Sequence, residues 1–312
     1  MNLSPITVEA RWRLSRIGIA LFTHAIISSA GAFLLSALLL LISPAFAGTM
    51  LAAWLLSIVP MYLFGFPVFW LILRDIPRER PTAMRLRLRD FFIFFLISYA
   101  LMQATSLIGT FINTVTDLIF GSSSSADAIL LIEQSPIALI LLFTVIVAPI
   151  FEEIMFRRMI ISRLFVFGEK FSILVSASLF ALYHGNLSQL FYAFAVGLVL
   201  GFVYAKTGKL HYSILLHMLF NLVGAGIPAL ITQISANDPE SFLSLILTVA
   251  YIVMTVALIL LGLICIYAYG RRISFSPARA PIPATERAQV IVSVGGVLVI
   301  ILSLAQLLLS YL

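Results

Sequence analysis

Apolar runs long enough to cross a lipid bilayer, separated by short clusters of charge, decide what this chain can fold into. A helix needs about 20 apolar residues to span a hydrocarbon core of about 30 Å. Eight runs approach or exceed that length, roughly 17–43, 50–73, 91–115, 136–156, 187–205, 212–231, 242–269 and 290–312. A ninth, Phe171 to His184, has only 14 residues and is expected to tilt, unwind or re-enter. With 62% hydrophobic and 10% charged residues among 312, the chain has too little polar surface for a water-soluble globule. The predicted fold is an all-α, polytopic integral membrane bundle of about nine hydrophobic segments, eight to nine of them spans.

Charge gives an independent test, because Lys and Arg are retained in cytoplasmic loops. Threading nine segments with the N-terminus inside puts all 19 basic residues on one side, in the stretches 11–16, 74–89, 157–170, 206–209 and 271–287. The opposite loops hold only the acids Asp117, Asp127, Glu133, Asp238 and Glu240. The expected N-terminus is therefore cytoplasmic and the C-terminus external. Membrane insertion accounts for the basic balance, so nucleic acid is not an expected partner, whereas the bilayer is. The stretch from Arg74 to Arg89 can also attract anionic headgroups.

Cys265 is the single cysteine, which leaves no disulfide framework and no cysteine-ligated metal within one chain. Ala45-Phe46-Ala47 imitates a signal-peptidase site, but the apolar run before it far exceeds the about 7 to 15 residues of a signal peptide, so it reads as an anchor. No linker is long enough to separate soluble domains, so residues 1–312 read as one integral membrane domain. Gly197 and Gly201 form a GxxxG whose expected role is close helix packing.

Ionisable groups at membrane depth are expensive, about 2.5 to 3.5 kcal/mol each, and mark paired or functional positions. Glu152 and Glu153 are such groups, near the inner end of the fourth run. Adjacent helical residues point about 100° apart, so the two acids are not expected to face one small site. Glu153 and Arg157 stand at i and i+4, the spacing of an ion pair, which leaves Glu152 to face a neighbouring helix as a candidate general base. The plainer reading puts both acids in one charge cluster with Arg157 and Arg158.

His184 lies one turn after Phe180, and His217 shares a face with Asn221. Each histidine alone is more often a hydrogen-bonded core residue than a catalyst. Together with Glu152 they would suffice to hold and deprotonate water, either by carboxylate base catalysis or through Zn²⁺ held by Glu152, His184 and His217. Asn221 could then donate hydrogen bonds to the oxyanion of a peptide tetrahedral intermediate. His211 falls on another face near the inner surface and reads as an interfacial group. His24, with no motif around it, reads as structural.

Glu152-Glu153-x-x-x-Arg157, Phe180-x-x-x-His184 and His217-x-x-x-Asn221, in that order on successive hydrophobic segments, resemble the three motifs of the CPBP family of intramembrane endopeptidases, which includes the type II CAAX prenyl endopeptidases. The resemblance covers roughly 136–231, the expected catalytic core of four helical segments. It implies that Glu152 and His184 activate the water, that His217 and Asn221 form the oxyanion or metal side, and that Glu153, Arg157 and Phe180 support them. HExxH, the spacing that lets two histidines of one helix grip zinc, is absent. The implied activity is hydrolysis of a peptide bond in a membrane-associated, CAAX-type protein or peptide. The implied place is the plasma membrane of a prokaryote, with the site toward the cytoplasm. A non-catalytic scaffold or immunity protein, and a proton-coupled transporter using the same groups, are the competing readings. At standard helical rise His184 would lie about 21 Å from Lys170 and Glu152 only about 7 Å from Arg157, so the fifth segment is expected to tilt or to begin outside the membrane.

Overall fold

In the computed structural model, which describes residues 3–79, 81, 84–120, 135–236 and 238–309, all regular structure is helical. The long helices are α1 (Pro5–Ile42), α2 (Met50–Leu73), α3 (Leu88–Phe120), α4 (Ile137–Phe167), α5 (Glu169–Tyr183), α6 (Leu187–Thr207), α7 (Leu210–Ser235) and α8 (Phe242–Tyr269). A bent pair, α9 (Ala284–Ile291) and α10 (Val294–Leu309), follows with a 55° break. The acids Asp127 and Glu133 and the last three residues of the 290–312 run lie outside the described residues.

Among the described residues seven helices are long and apolar enough to cross a membrane, or eight if the bent pair is one span. The upper figure coincides with the lower end of the expected eight to nine, and α5 is the segment that falls short of a span. Its 15 residues make only about 22 Å of helix, short of the hydrocarbon core. The chain direction survives as expected. A tight turn with Gly185 at φ 66° folds α5 back along α6, and Lys206 at the end of α6 meets Glu169 at the start of α5 at 2.7 Å. The hairpin returns the chain to the end it left.

Backbone and side-chain bonds gather the five basic stretches at that same end of the bundle. Arg13 donates to the Arg163 carbonyl at 2.8 Å, Glu79 N–H to Ser162 O at 2.8 Å, Met84 N–H to Thr207 O at 3.1 Å and Ala280 N–H to Val166 O at 3.0 Å. Arg163, almost wholly buried, donates twice to the carbonyl of Leu73, at 2.9 and 2.7 Å. A cation there complements the carbonyl end of α2 and ties α4 to it.

Two helices flanking the centre are packed through small residues. Gly197 lies so close to α5 that an added Cβ would stand 3.2 Å from Ala177 Cα, and at Gly201 it would meet Ile161 and Ile173 at 3.3 Å. This is the close packing expected of the GxxxG. By contrast α8 turns residues such as Leu245, Val253 and Ile264 outward, which in lipid carries no hydrophobic penalty. The main core joins α1, α2, α4, α5, α6 and α10 around Phe156, Phe180 and Leu21, so the first and last helices clothe the central ones.

Candidate active site

Winding of the central helices is not uniform where the polar residues sit. Leu141–Val147 and Ile154–Ile161 are π-wound, and the α-helical turn Ala148–Glu153 between them carries Pro149, Glu152 and Glu153. A proline inside a helix lacks an N–H and crowds the preceding turn, so loosened winding around it relieves the clash. In α7 the stretch Leu222–Gly226 directly after Asn221 is π-wound too. Wider turns of this kind re-aim side chains and recur at functional positions.

Glu153 is fully buried, and its carboxylate meets Arg157 Nε at 3.1 Å, both side chains being shut off from solvent. The Arg157 guanidinium also stacks on the Phe180 ring, 4.6 Å from its centroid. His217 donates Nδ1–H to the other oxygen of Glu153 at 3.0 Å. Its Nε2 stands 3.6 Å from an oxygen of Glu152. The two acids diverge, Glu152 to the cavity and Glu153 to Arg157, yet His217 touches both. Ring nitrogens point to opposite sides of an imidazole, so one histidine between two helices can touch carboxylates that diverge from each other.

Phe180 is the post around which this cluster is arranged. Its ring packs edge-on against His184 at 4.7 Å and against His217 at 5.9 Å. His184 closes α5 and donates Nδ1–H to the Phe180 carbonyl at 2.7 Å, a bond that leaves Nε2 as the acceptor nitrogen. Glu152, Phe180, His184, His217 and Asn221 all line one cavity of about 470 Å³, extended by Trp54, Gln103 and Tyr251 from α2, α3 and α8. The short α5 and its hairpin thus bring His184 to the cavity of Glu152, as the depth argument required. Asn221 differs from expectation in one respect, since its amide nitrogen already donates to the Thr144 carbonyl at 2.8 Å. One of its two N–H groups remains for a ligand.

Among the described residues no three His, Cys, Asp or Glu side chains converge as a metal-ligand set. The trio Glu152, His184 and His217 shares a cavity but is not drawn together on one point. His211 is exposed and packs at a tilt against Tyr212, 4.2 Å between ring centres, and does not line the cavity.

Sequence reading missed the tyrosines. Tyr62 and Tyr192 line the same cavity as Glu152, and Tyr183 packs on Phe156 one turn along α4 from it. Tyr62 is held by stacking on Phe151, 4.0 Å between centres, and Tyr183 hydrogen-bonds Nδ1 of His24. His24, fully buried on α1, has no hydrogen-bond partner for Nε2 among the described residues. Tyrosine is common in membrane helices, so only its position next to His184 in sequence could have drawn notice. Tyr183→Phe strands the remaining imidazole nitrogen and is expected to cost about 1–3 kcal/mol of stability, whereas removing both polar partners in His24→Phe/Tyr183→Phe is expected to cost less. Denaturant unfolding in detergent checks this. A single variant as stable as the native chain would contradict it.

Residues 134–223, which hold every group of the cluster from Glu152 to Asn221, match the family model described as type II CAAX prenyl endopeptidase Rce1-like. The chain is 31% identical over 169 residues to YdiL of Bacillus subtilis (strain 168), provisionally named a membrane peptidase, covering 49% of this chain and 64% of that one. It is 24% identical over 177 residues to the membrane-embedded CAAX protease MroQ of Staphylococcus aureus (strain USA300), covering 52% of this chain and 70% of that one. The chain thus spans less than two thirds of the length of the first relative. No solved structure matches it significantly. The helices identify an integral membrane protein, and its segment 134–223, which carries the clustered motifs, is similar to the Rce1-like domain of type II CAAX prenyl endopeptidases.

Proposed function

We propose that the chain is a glutamate-dependent intramembrane endopeptidase that hydrolyses a peptide bond near the C-terminus of a membrane-associated, CAAX-type protein or peptide. The observation that carries this reading is His217 held between Glu153 at 3.0 Å and Glu152 at 3.6 Å, on the wall of a cavity it shares with His184 and Asn221. Hydrolysis by this cluster requires His217 to donate from both ring nitrogens, Nδ1–H to Glu153 and a second proton on Nε2, which faces Glu152. That proton together with Arg157 balances the two carboxylates, so the buried cluster is neutral overall.

In this arrangement Glu152 takes a proton from water. His184 Nε2 accepts the second water hydrogen and aligns the oxygen. The hydroxide adds to the scissile carbonyl carbon, and the free N–H of Asn221 and the His217 Nε2–H receive the oxyanion. Glu152 then passes its proton to the leaving nitrogen as the C–N bond breaks, which regenerates the carboxylate. Glu153 and Arg157 orient His217 without touching substrate. Zn²⁺ activation remains a separate proposal whose ligands would be Glu152, His184 and His217, and no step above depends on it.

The test is turnover of quenched fluorescent peptides, prenylated and unprenylated, by the full chain in lipid nanodiscs, with metal content measured on the same sample. Cleavage by protein containing less than stoichiometric metal supports the carboxylate reading. A stoichiometric metal needed for turnover would replace it with the Zn²⁺ reading. No cleavage across the panel overturns the peptidase proposal.

A further inference from the structure

A second cavity, of about 520 Å³, lies on the opposite side of α5 and shares no lining residue with the first. It is bounded by α5 and by the bent pair α9–α10, which breaks by 55° at Val292 and Ser293. Its volume falls within the range of about 300–1,000 Å³ typical of ligand sites. Most of its wall is aliphatic.

Charge is concentrated at one end. Lys170 and Arg287 both line the mouth, both are exposed, and neither has an ion-pair partner among the described residues. The acid beside each is committed elsewhere. Glu169, which also lines the cavity, is buried and bonded to Lys206 at 2.7 Å and to the Ser276 N–H. Glu286 accepts from the backbone and hydroxyl of Ser4 at 3.1 and 2.8 Å. The mouth therefore presents two cations with no direct ion-pair partner among the described residues, at the end of the bundle where the basic stretches gather.

Below the cations the wall continues along α5. Lys170, Leu174, Ser178 and Leu182 all line the cavity and follow at intervals of four, one face of a helix running about 18 Å from cation to tip. A trough of that form fits an amphiphile standing parallel to the helix, with its anion at Lys170 and Arg287 and its chain against Leu174, Leu182 and Ile300. A free phosphate would use the cations and leave the trough unfilled. Basic pockets between helices at the membrane surface are the known way that proteins select anionic lipids.

We propose that this cavity binds one anionic phospholipid, its phosphate between Lys170 and Arg287 and one acyl chain along α5. The site is independent of the peptidase reading, since no residue is shared.

The test reconstitutes delipidated full-length protein with phosphatidylglycerol and phosphatidylcholine in equal amounts and reads retained lipid by native mass spectrometry. The expected result is one phosphatidylglycerol retained per chain in preference to phosphatidylcholine. Lys170→Gln/Arg287→Gln is expected to lower that preference by about 25-fold, since each surface cation is worth a factor of about five. Ser178→Trp, which fills the trough and leaves both cations in place, is expected to abolish retention. Millimolar inorganic phosphate is expected not to displace the lipid, and displacement would assign the cations to a free anion instead. Equal retention of the two lipids by the native chain overturns the proposal. So does retention unchanged in both variants, with folding of each confirmed by its thermal midpoint.

Discussion

Glu152→Gln is expected to lower peptide turnover by about 10²- to 10⁴-fold while the protein stays folded. The glutamine keeps the shape and the hydrogen-bonding reach of the side chain but has no basicity, so water at the cavity wall loses its proton acceptor. Folding is expected to survive because Glu152 is the one acid of the cluster that is partly open to the cavity, 22% exposed, where Glu153 is sealed. Glu153 and Arg157, the sealed pair, still balance each other in the interior when the charge of Glu152 is removed. The measurement is kcat and KM on the best peptide substrate, with the thermal midpoint recorded on the same preparations. A fall in kcat with KM nearly constant identifies a group that acts in the chemical step. If Glu152→Gln kept more than about a tenth of native turnover, the general-base assignment would be wrong, given the size normal for such a group.

Arg157→Ala is expected to cost about 3–5 kcal/mol of stability, the penalty for leaving a buried charge without its partner. The guanidinium is fully enclosed, its facing acid is Glu153, and its flat side rests on Phe180. Its loss removes the counter-ion of Glu153 and the stacking partner of Phe180 at once. Replacing both charges by uncharged groups of similar size, Glu153→Gln/Arg157→Met, is expected to recover much of that stability, because a buried pair replaced as a unit is often near neutral. Turnover is expected to stay low in the double variant. His217 Nδ1 then has an amide in place of the carboxylate that fixes its orientation and tautomer. A double variant no more stable than Arg157→Ala would show that the pair's worth is not electrostatic, and a fully active one would remove Glu153 from the mechanism.

The membrane helices were legible in the sequence because lipid makes the criterion one-dimensional. Whether a stretch can cross depends on its own apolar length, and α1 to α4 and α6 to α8 all met that criterion. Glu153–Arg157 was legible for a related reason, since i,i+4 neighbours on a helix meet whatever surrounds them. Ordered motifs also brought Glu152, His184, His217 and Asn221 to notice as candidates for one site. Their side chains come from α4, α5 and α7, so local spacing could not say how they would meet.

What only the tertiary structure decided lies between helices. The sequence placed a weak ninth segment at 171–184, but its short helix and return along α6 depend on the Gly185 turn and on the close packing of Gly197 and Gly201 against their neighbours. The bridging of both glutamates by His217 was hidden because it depends on the aim of an imidazole across an interface. So did the tyrosines around Glu152 and the buried His24, which α1 brings in from more than a hundred residues away. A chain in lipid must satisfy its backbone within each helix, so helix positions follow from local composition. Side-chain chemistry is settled by which helix faces which, and that depends on packing summed over the whole bundle.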